Sequence, residues 1–109
     1  MAYDEALADR ITDLLIERPH ITPKKMFGGI AWMLDGNMAF GILDDFLMVR
    51  LSHEGANEAL TEPHTHEVAG NMRKMRGFLY VGQEGIVEDE DLEEWLGRAI
   101  THAATLPPK

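Results

Sequence analysis

The sequence contains no cysteine and few basic residues. Its 109 residues include 10 Lys and Arg against 19 Asp and Glu, which gives a formal net charge of −9. The absence of cysteine excludes thiol catalysis, cysteine–zinc sites and disulfides. The shortage of positive charge disfavours general binding to nucleic acid or to anionic membranes, because both require a basic surface. No apolar run approaches the roughly 18 residues of a membrane helix, and the acidic start differs from a signal peptide. We therefore expect a cytoplasmic location.

Patterns that carry catalytic or metal chemistry are sparse. Ser52 is the single serine and lacks the glycines of a nucleophile elbow. His64 and His66 have the separation of a metal-binding pair, but no third histidine stands at a suitable spacing, so a solvated loop is favoured. Gly28–Gly29 lacks the residues that complete a P-loop and is typical of close packing or a bulge in a strand. The sequence favours a non-enzymatic domain without metal or cofactor; an enzyme would require Ser52, His53 and an acid to meet in one cleft.

Length and hydrophobic periodicity predict one α+β domain over residues 1–109, with an antiparallel meander packed against N- and C-terminal helices. Apolar residues at helical spacing predict a first helix over Asp4–Glu17 and a last helix capped by Asp89. The predicted inward residues of the last helix are Leu92, Trp95, Leu96, Ala99, Ile100, Ala103 and Leu106. A short helix is expected at Glu54–Leu60, with Ser52 as its cap.

The middle of the chain is predicted to form strands separated by turns. Asp35-Gly36 is a strong hairpin signal, and Asp44-Asp45 marks a second turn. The predicted strands are Lys24–Leu34, Met38–Leu43, Phe46–Leu51 and Phe78–Val81, the last with a possible start near Met75. The segment His66–Val68 is either a short edge strand or part of a loop.

The two turns imply a register with two apolar faces. The face assigned to the core carries Ala31, Met33, Met38, Phe40, Ile42, Leu47, Val49 and Leu51. The opposite face carries Ile30, Trp32, Leu34, Ala39, Gly41, Met48 and Arg50. The terminal helices can cover only one face. The second is then covered by a helix or a homodimer partner, or it is a shallow groove with Trp32 and Met48 as walls and Arg50 as an anion contact. A binding surface on the second face requires Trp32 and Arg50 to share that face.

Basic residues cluster near the strands, although the whole chain is acidic. Lys25, Arg50 and Arg76 would form a local positive patch if the fold brings them together; otherwise these cations are solvated strand ends and edge protection. The predicted binding residues are listed together as Lys25, Trp32, Met48, Arg50 and Arg76.

Several segments together resemble one known family. They are Met1-Ala-Tyr-Asp-Glu, Lys24-Lys25-Met26-Phe27-Gly28-Gly29, Gly36-Asn37-Met38, Leu47-Met48-Val49-Arg50, Gly77-Phe78-Leu79-Tyr80-Val81 and Leu106-Pro107-Pro108-Lys109. The chain resembles the TfoX/Sxy N-terminal domain family over essentially its whole length. The resemblance implies an α+β domain with a secretion-chaperone-like or YjbR-like arrangement in a bacterial cytoplasm. Full-length members regulate natural competence as transcriptional co-regulators and carry a second, C-terminal domain that these 109 residues do not include.

The leading hypothesis is a regulatory or interaction domain that acts by contact with a protein partner or a second copy. The alternative is a module that binds a small anionic metabolite or nucleotide at the same patch. Direct nucleic-acid binding is the least favoured function, because the net charge opposes it.

Overall fold

The computed structural model describes residues 3–26, 28–70 and 73–109. The helices are α1 (Glu5–Leu14), α2 (His53–Ala59) and α3 (Asp89–Ala103), with a 3-10 helix at Gln83–Gly85. The strands are β1 (Ile21–Met26), β2 (Gly29–Leu34), β3 (Asn37–Leu43), β4 (Phe46–Arg50), β5 (Thr65–Gly70) and β6 (Arg73–Val81). They form one antiparallel sheet in the order β1-β2-β3-β4-β6-β5. The predicted α+β class is confirmed.

The helices begin close to the predicted positions. The Asp4 carboxylate accepts a hydrogen bond from the Leu7 amide at 3.1 Å, and the Ser52 hydroxyl accepts one from the Gly55 amide at 2.9 Å. Both oxygens satisfy amides that the first helical turn leaves unpaired. Asp89, predicted as the cap of α3, is its first residue instead, and its carboxylate pairs with Arg10 at 2.9 Å.

The predicted strand Lys24–Leu34 is wrong, because it is two strands. The chain reverses between Met26 and Gly29, which are antiparallel partners, and Gly28 has a φ of +78°. A Cβ on Gly29 would clash with the Ile42 carbonyl oxygen, so β2 and β3 approach closely there. Gly28 thus serves a turn and Gly29 a close strand contact.

The helices pack on one face of the sheet. Residues from α1, α2 and α3 join one core cluster with Trp32, Phe40, Val49 and Leu79 of the sheet. All predicted inward residues of α3 from Leu92 to Ala103 are buried. In the described part of the chain, no helix combines the length and the apolar character needed to cross a bilayer.

A β-bulge at Ala39 corrects the predicted faces. Met33 pairs with Met38 as the hairpin turn predicts, but Trp32 pairs with Phe40, so the register shifts by one residue. Since successive side chains point to opposite faces, the shift exchanges the faces of β2 relative to those of β3 and β4. Ile30, Trp32 and Leu34 therefore lie on the helix-covered side, while Ala31 and Met33 lie on the other side.

Candidate functional site

The sheet surface opposite the helices, called the open face below, is rich in methionine and aromatic residues. Strand pairing places Ala31, Gly41, Met48 and Tyr80 side by side in one row across it. By strand alternation, the flanking positions are Met26, Met33, Met38, Leu43, Phe46 and Phe78. The Phe46 side chain is 38% exposed, and the methionines at these positions are half-buried. The described helices leave this apolar surface uncovered.

Small residues create a hollow in the centre of the open face. Gly29 and Ala31 contribute little side-chain volume, while Met26, Met38, Met48 and Phe78 contribute to the surrounding wall. The hollow has a volume of about 210 Å³. Met26 on β1 and Phe78 on β6 line the same hollow although three strands separate β1 from β6, so the sheet curves toward this side.

Aromatic rings and one arginine form the side of the open face near β4 and β6. The Phe46 and Tyr80 ring centroids are 5.5 Å apart. The guanidinium carbon of Arg50 lies 5.7 Å from the centroid of the Phe78 ring, within the range of a cation–π contact. This contact orients the Arg50 charge along the apolar surface.

The open face is more basic than the rest of the chain. Lys24 pairs with Ala31 and His66 pairs with Tyr80, so a basic or titratable side chain stands at each end of the central row. Arg50 stands beside that row on β4. Within the described part of the sheet, no strand position that the pairing assigns to this face is Asp or Glu. The acidic side chains instead concentrate on the three helices.

The structure brings together only part of the predicted site. Met48 and Arg50 lie on the open face, but Trp32 is 2% exposed and stacks on Phe40 inside the core, with ring centroids 5.4 Å apart. The expectation that Trp32 and Arg50 share a face is therefore wrong, and the binding surface is rejected in the form predicted from the sequence, with Trp32 as a wall. Lys25 pairs with Ile30 and so lies on the helix side of β1. Arg76 belongs to β6, and its side chain lies outside the described part of the structure.

Sequence reasoning missed Lys24, Met33 and Met38 as residues of the open face. The patch predicted from the sequence includes Lys25 but not Lys24, and the predicted faces place both methionines in the core. The available signal was the repeated occurrence of methionine in these strands, because proteins use this flexible side chain at adaptable binding surfaces as well as in cores.

A second concave surface lies between α2 and α3. This groove has a volume of about 610 Å³, and its lining includes Ser52, Glu58, Glu62, Arg98 and His102. Arg98 donates to the Glu62 carboxylate at 2.7 Å and also pairs with Glu94. The hydrogen bond to Glu62 is the largest cause that raises the pKa of Arg98, so this cation is held by two internal carboxylates.

The chemistry of the groove opposes binding of an anion. Burial is the main cause that lowers the pKa of His102, with Arg50 and His53 as further causes, so the neutral form of His102 is favoured. Glu58 and Glu62 add negative charge to the same lining.

The groove also lacks a nucleophilic triad in the part of the chain that the structure describes. The Ser52 hydroxyl oxygen accepts the hydrogen bond that caps α2, and among the described residues no hydrogen bond joins this hydroxyl to a histidine. His64 has a φ of +67° just before β5, whereas His66 lies within that strand. Across the described residues, no group of three His, Asp or Glu side chains is arranged to hold a metal ion.

Comparison with known proteins gives one match. The family model of the TfoX N-terminal domain matches residues 13–103, which is most of the chain. Searches of curated proteins and of solved structures find no significant match. The matched region runs from the last two residues of α1 through all six strands to the end of α3. The chain therefore belongs to the TfoX N-terminal domain family.

Proposed function

We propose that this TfoX N-terminal domain is a non-enzymatic, cytoplasmic regulatory module that binds a protein partner through its open face. The observation that carries the proposal is the apolar surface of β2, β3, β4 and β6, which the described helices leave uncovered. Extended apolar surfaces of this kind mark interaction sites in soluble proteins, because burial of that surface stabilises a complex.

The size of the central hollow favours a protein over a small metabolite. Small-molecule sites are usually clefts of about 300–1,000 Å³ with a few convergent polar groups. The hollow of about 210 Å³ is smaller, and its lining is apolar. It suits one large apolar side chain of a partner, and the flexible Met38 and Met48 can adjust to the shape of that side chain.

A paired substitution tests the proposal. Met48→Asp places a charge in the middle of the open face, whereas Val87→Asp places one at a side chain that is 66% exposed and belongs to none of the strands. Each variant and the wild-type chain are immobilised and exposed to lysate of the native host. Bound proteins are identified by mass spectrometry, purified and measured in direct titrations.

We expect one or more purified partners that bind the wild type and Val87→Asp equally and bind Met48→Asp at least tenfold more weakly. Circular dichroism and urea unfolding establish that both variants are folded. If every captured protein binds Met48→Asp as tightly as the wild type, the open face is not the docking surface. The identity of the partner also decides whether the role lies in regulation of competence, as in the full-length family members.

A further inference from the structure

We infer that the partner presents an acidic amphipathic helix to the open face, with one large apolar side chain in the hollow and carboxylates against Lys24 and Arg50. This inference rests on the proposed function and adds the chemistry of the occupant. It follows from the charges around the hollow, from the effect of those charges on a second copy, and from the groups that the surface offers for contact.

The two cations flank the apolar centre. Lys24 lies on β1 in the row of Ala31 and Met48, and Arg50 lies two residues beyond Met48 on β4. Three strand spacings and a two-residue offset place their Cα atoms no more than roughly 16 Å apart along the sheet. Three turns of an α-helix span about the same length. One helix can therefore cross the hollow and bring an acidic side chain near each cation.

Both cations are available to an acidic ligand. No ion pair among the described residues uses Lys24 or Arg50, whereas Arg10 and Arg98 are paired with carboxylates of this chain. Lys24 is exposed, and Arg50 is half-buried with its guanidinium over Phe78. An arginine held in this way can bind a carboxylate through two parallel hydrogen bonds.

A second copy of the chain is a poor occupant. Two open faces packed together by twofold symmetry would bring Lys24 and Arg50 of both copies into one interface, with no acidic strand position on either face to balance them. Like charges set against each other in this way oppose association. The acidic helices of a second copy could meet the open face only in a head-to-tail contact, which forms a ring or continues as a filament.

The open face also favours a helix over an added strand. Its hollow and cations are side-chain features at the centre of the sheet, whereas strand addition uses main-chain groups at an edge. At the β1 edge, Pro23 has no N–H to donate. A helix satisfies its own main-chain hydrogen bonds and presents apolar and acidic side chains on one side.

Two synthetic peptides test the inference directly. Both are 18-residue, alanine-based helices with the same leucine stripe; glutamates border the stripe in one, and lysines border it in the other. Their affinities for the folded chain are measured by fluorescence anisotropy at low salt. We expect the glutamate peptide to bind at least tenfold more tightly than the lysine peptide, and we expect this difference to shrink at high salt.

Charge reversal supplies the matched control. We expect the double variant Lys24→Glu/Arg50→Glu to bind the lysine peptide more tightly than the glutamate peptide. We expect Lys24→Glu alone, at an exposed position, to reduce the preference for the glutamate peptide. Equal affinities, binding of neither peptide, or an unchanged preference in the double variant would overturn the inference. So would a dimer of the wild-type chain in sedimentation equilibrium that Met48→Asp dissociates.

The lysate experiment separates the two proposals. A purified partner that depends on Met48 but docks through a basic or non-helical surface overturns the acidic helix and leaves the proposed function intact.

Discussion

At the scale of single residues, the position of Trp32 decides which side of the sheet is the core. Its side chain is 2% exposed and stacks on Phe40, while its neighbour Met33 is half-buried on the open face. The two residues are adjacent in sequence and point to opposite sides, so their contributions to stability should differ sharply.

We predict that Trp32→Ala lowers the free energy of unfolding by about 3–5 kcal/mol, because it empties a large volume inside the core. Met33→Ala should cost less than about 1.5 kcal/mol, since it removes a side chain that solvent already reaches. Urea unfolding measures both values. Trp32→Phe provides a milder variant if Trp32→Ala does not fold. A larger loss for Met33→Ala than for Trp32→Phe would contradict the assignment of faces.

At the scale of strands and helices, the turn residues predict the hairpins, whereas no sequence pattern predicts the bulge in β3. Asp35 and Gly36 have φ values of +52° and +83°, the left-handed pair that a tight hairpin requires. The pairing of Leu43 with Phe46 likewise follows from the predicted Asp44-Asp45 turn. These local signals correctly predicted two hairpins and the register of β3 with β4.

The sequence does not indicate the bulge because the residues of β3 are nearly all apolar. After Asn37 it reads Met-Ala-Phe-Gly-Ile-Leu, so either register presents apolar residues to both faces. Alternation specifies register only where one face is polar. Whether Trp32 or Met33 faces the core therefore depends on how the side chains pack beneath the helices. Met48 and Arg50 were predicted correctly for the open face because they lie beyond the region that the bulge shifts.

Two glycines in different elements should respond in opposite ways to alanine. A Cβ on Gly97, within α3, meets no atom within 4 Å, so Gly97→Ala should stabilise the fold by about 0.5–1 kcal/mol through helix propensity. A Cβ on Gly29 would clash with the Ile42 carbonyl oxygen. Gly29→Ala should therefore destabilise by about 1–3 kcal/mol, because β2 and β3 must separate.

Thermal and urea unfolding measure the stability of both variants, which carry the same change from glycine to alanine. Stabilisation by Gly29→Ala would mean that the strands have room for a methyl group. Destabilisation by Gly97→Ala would mean that the space beside α3 is filled in solution.

At the scale of the whole molecule, charge is divided between the two sides of the sheet. The helices carry most of the acids, and Lys24, Arg50 and His66 stand on the open face. The chain therefore has a local basic surface although its net charge is −9. Such a division steers an acidic partner toward one side and repels it from the other.

The surroundings of His102 on α3, which include Arg50 of β4 and His53 of α2, should make the stability of the fold depend on pH. Burial, Arg50 and His53 lower the pKa of His102 below its usual value of 6.5. Protonation of His102 therefore costs more in the folded chain than in the unfolded chain. The stability that its neutral form contributes is present above pH 6.5 and is lost as the pH falls through the lower folded-state pKa.

We expect His102→Gln to show a shallower loss of unfolding free energy than the wild type between pH 7.5 and 5.5. Urea unfolding at several pH values measures the slope, and His20→Gln, at an exposed position, serves as the control. A His102→Gln slope equal to that of the wild type would show that this histidine is not the source of the effect.

The two ends of the described chain are attached to opposite ends of β3. The Asp4 amide donates to the Asp44 carbonyl at 2.7 Å, whereas the Lys109 amide donates to the Asp35 carbonyl at 2.8 Å. The Asn37 side-chain amide also donates to the Pro107 carbonyl at 2.9 Å. Asn37 and Leu43 are roughly 20 Å apart along the strand. Fluorescent dyes coupled at positions 3 and 109 would therefore begin at a defined separation, and their energy transfer would report when either anchor detaches. A short linker that joined the two ends of one copy would have to span this separation or detach one of these anchors.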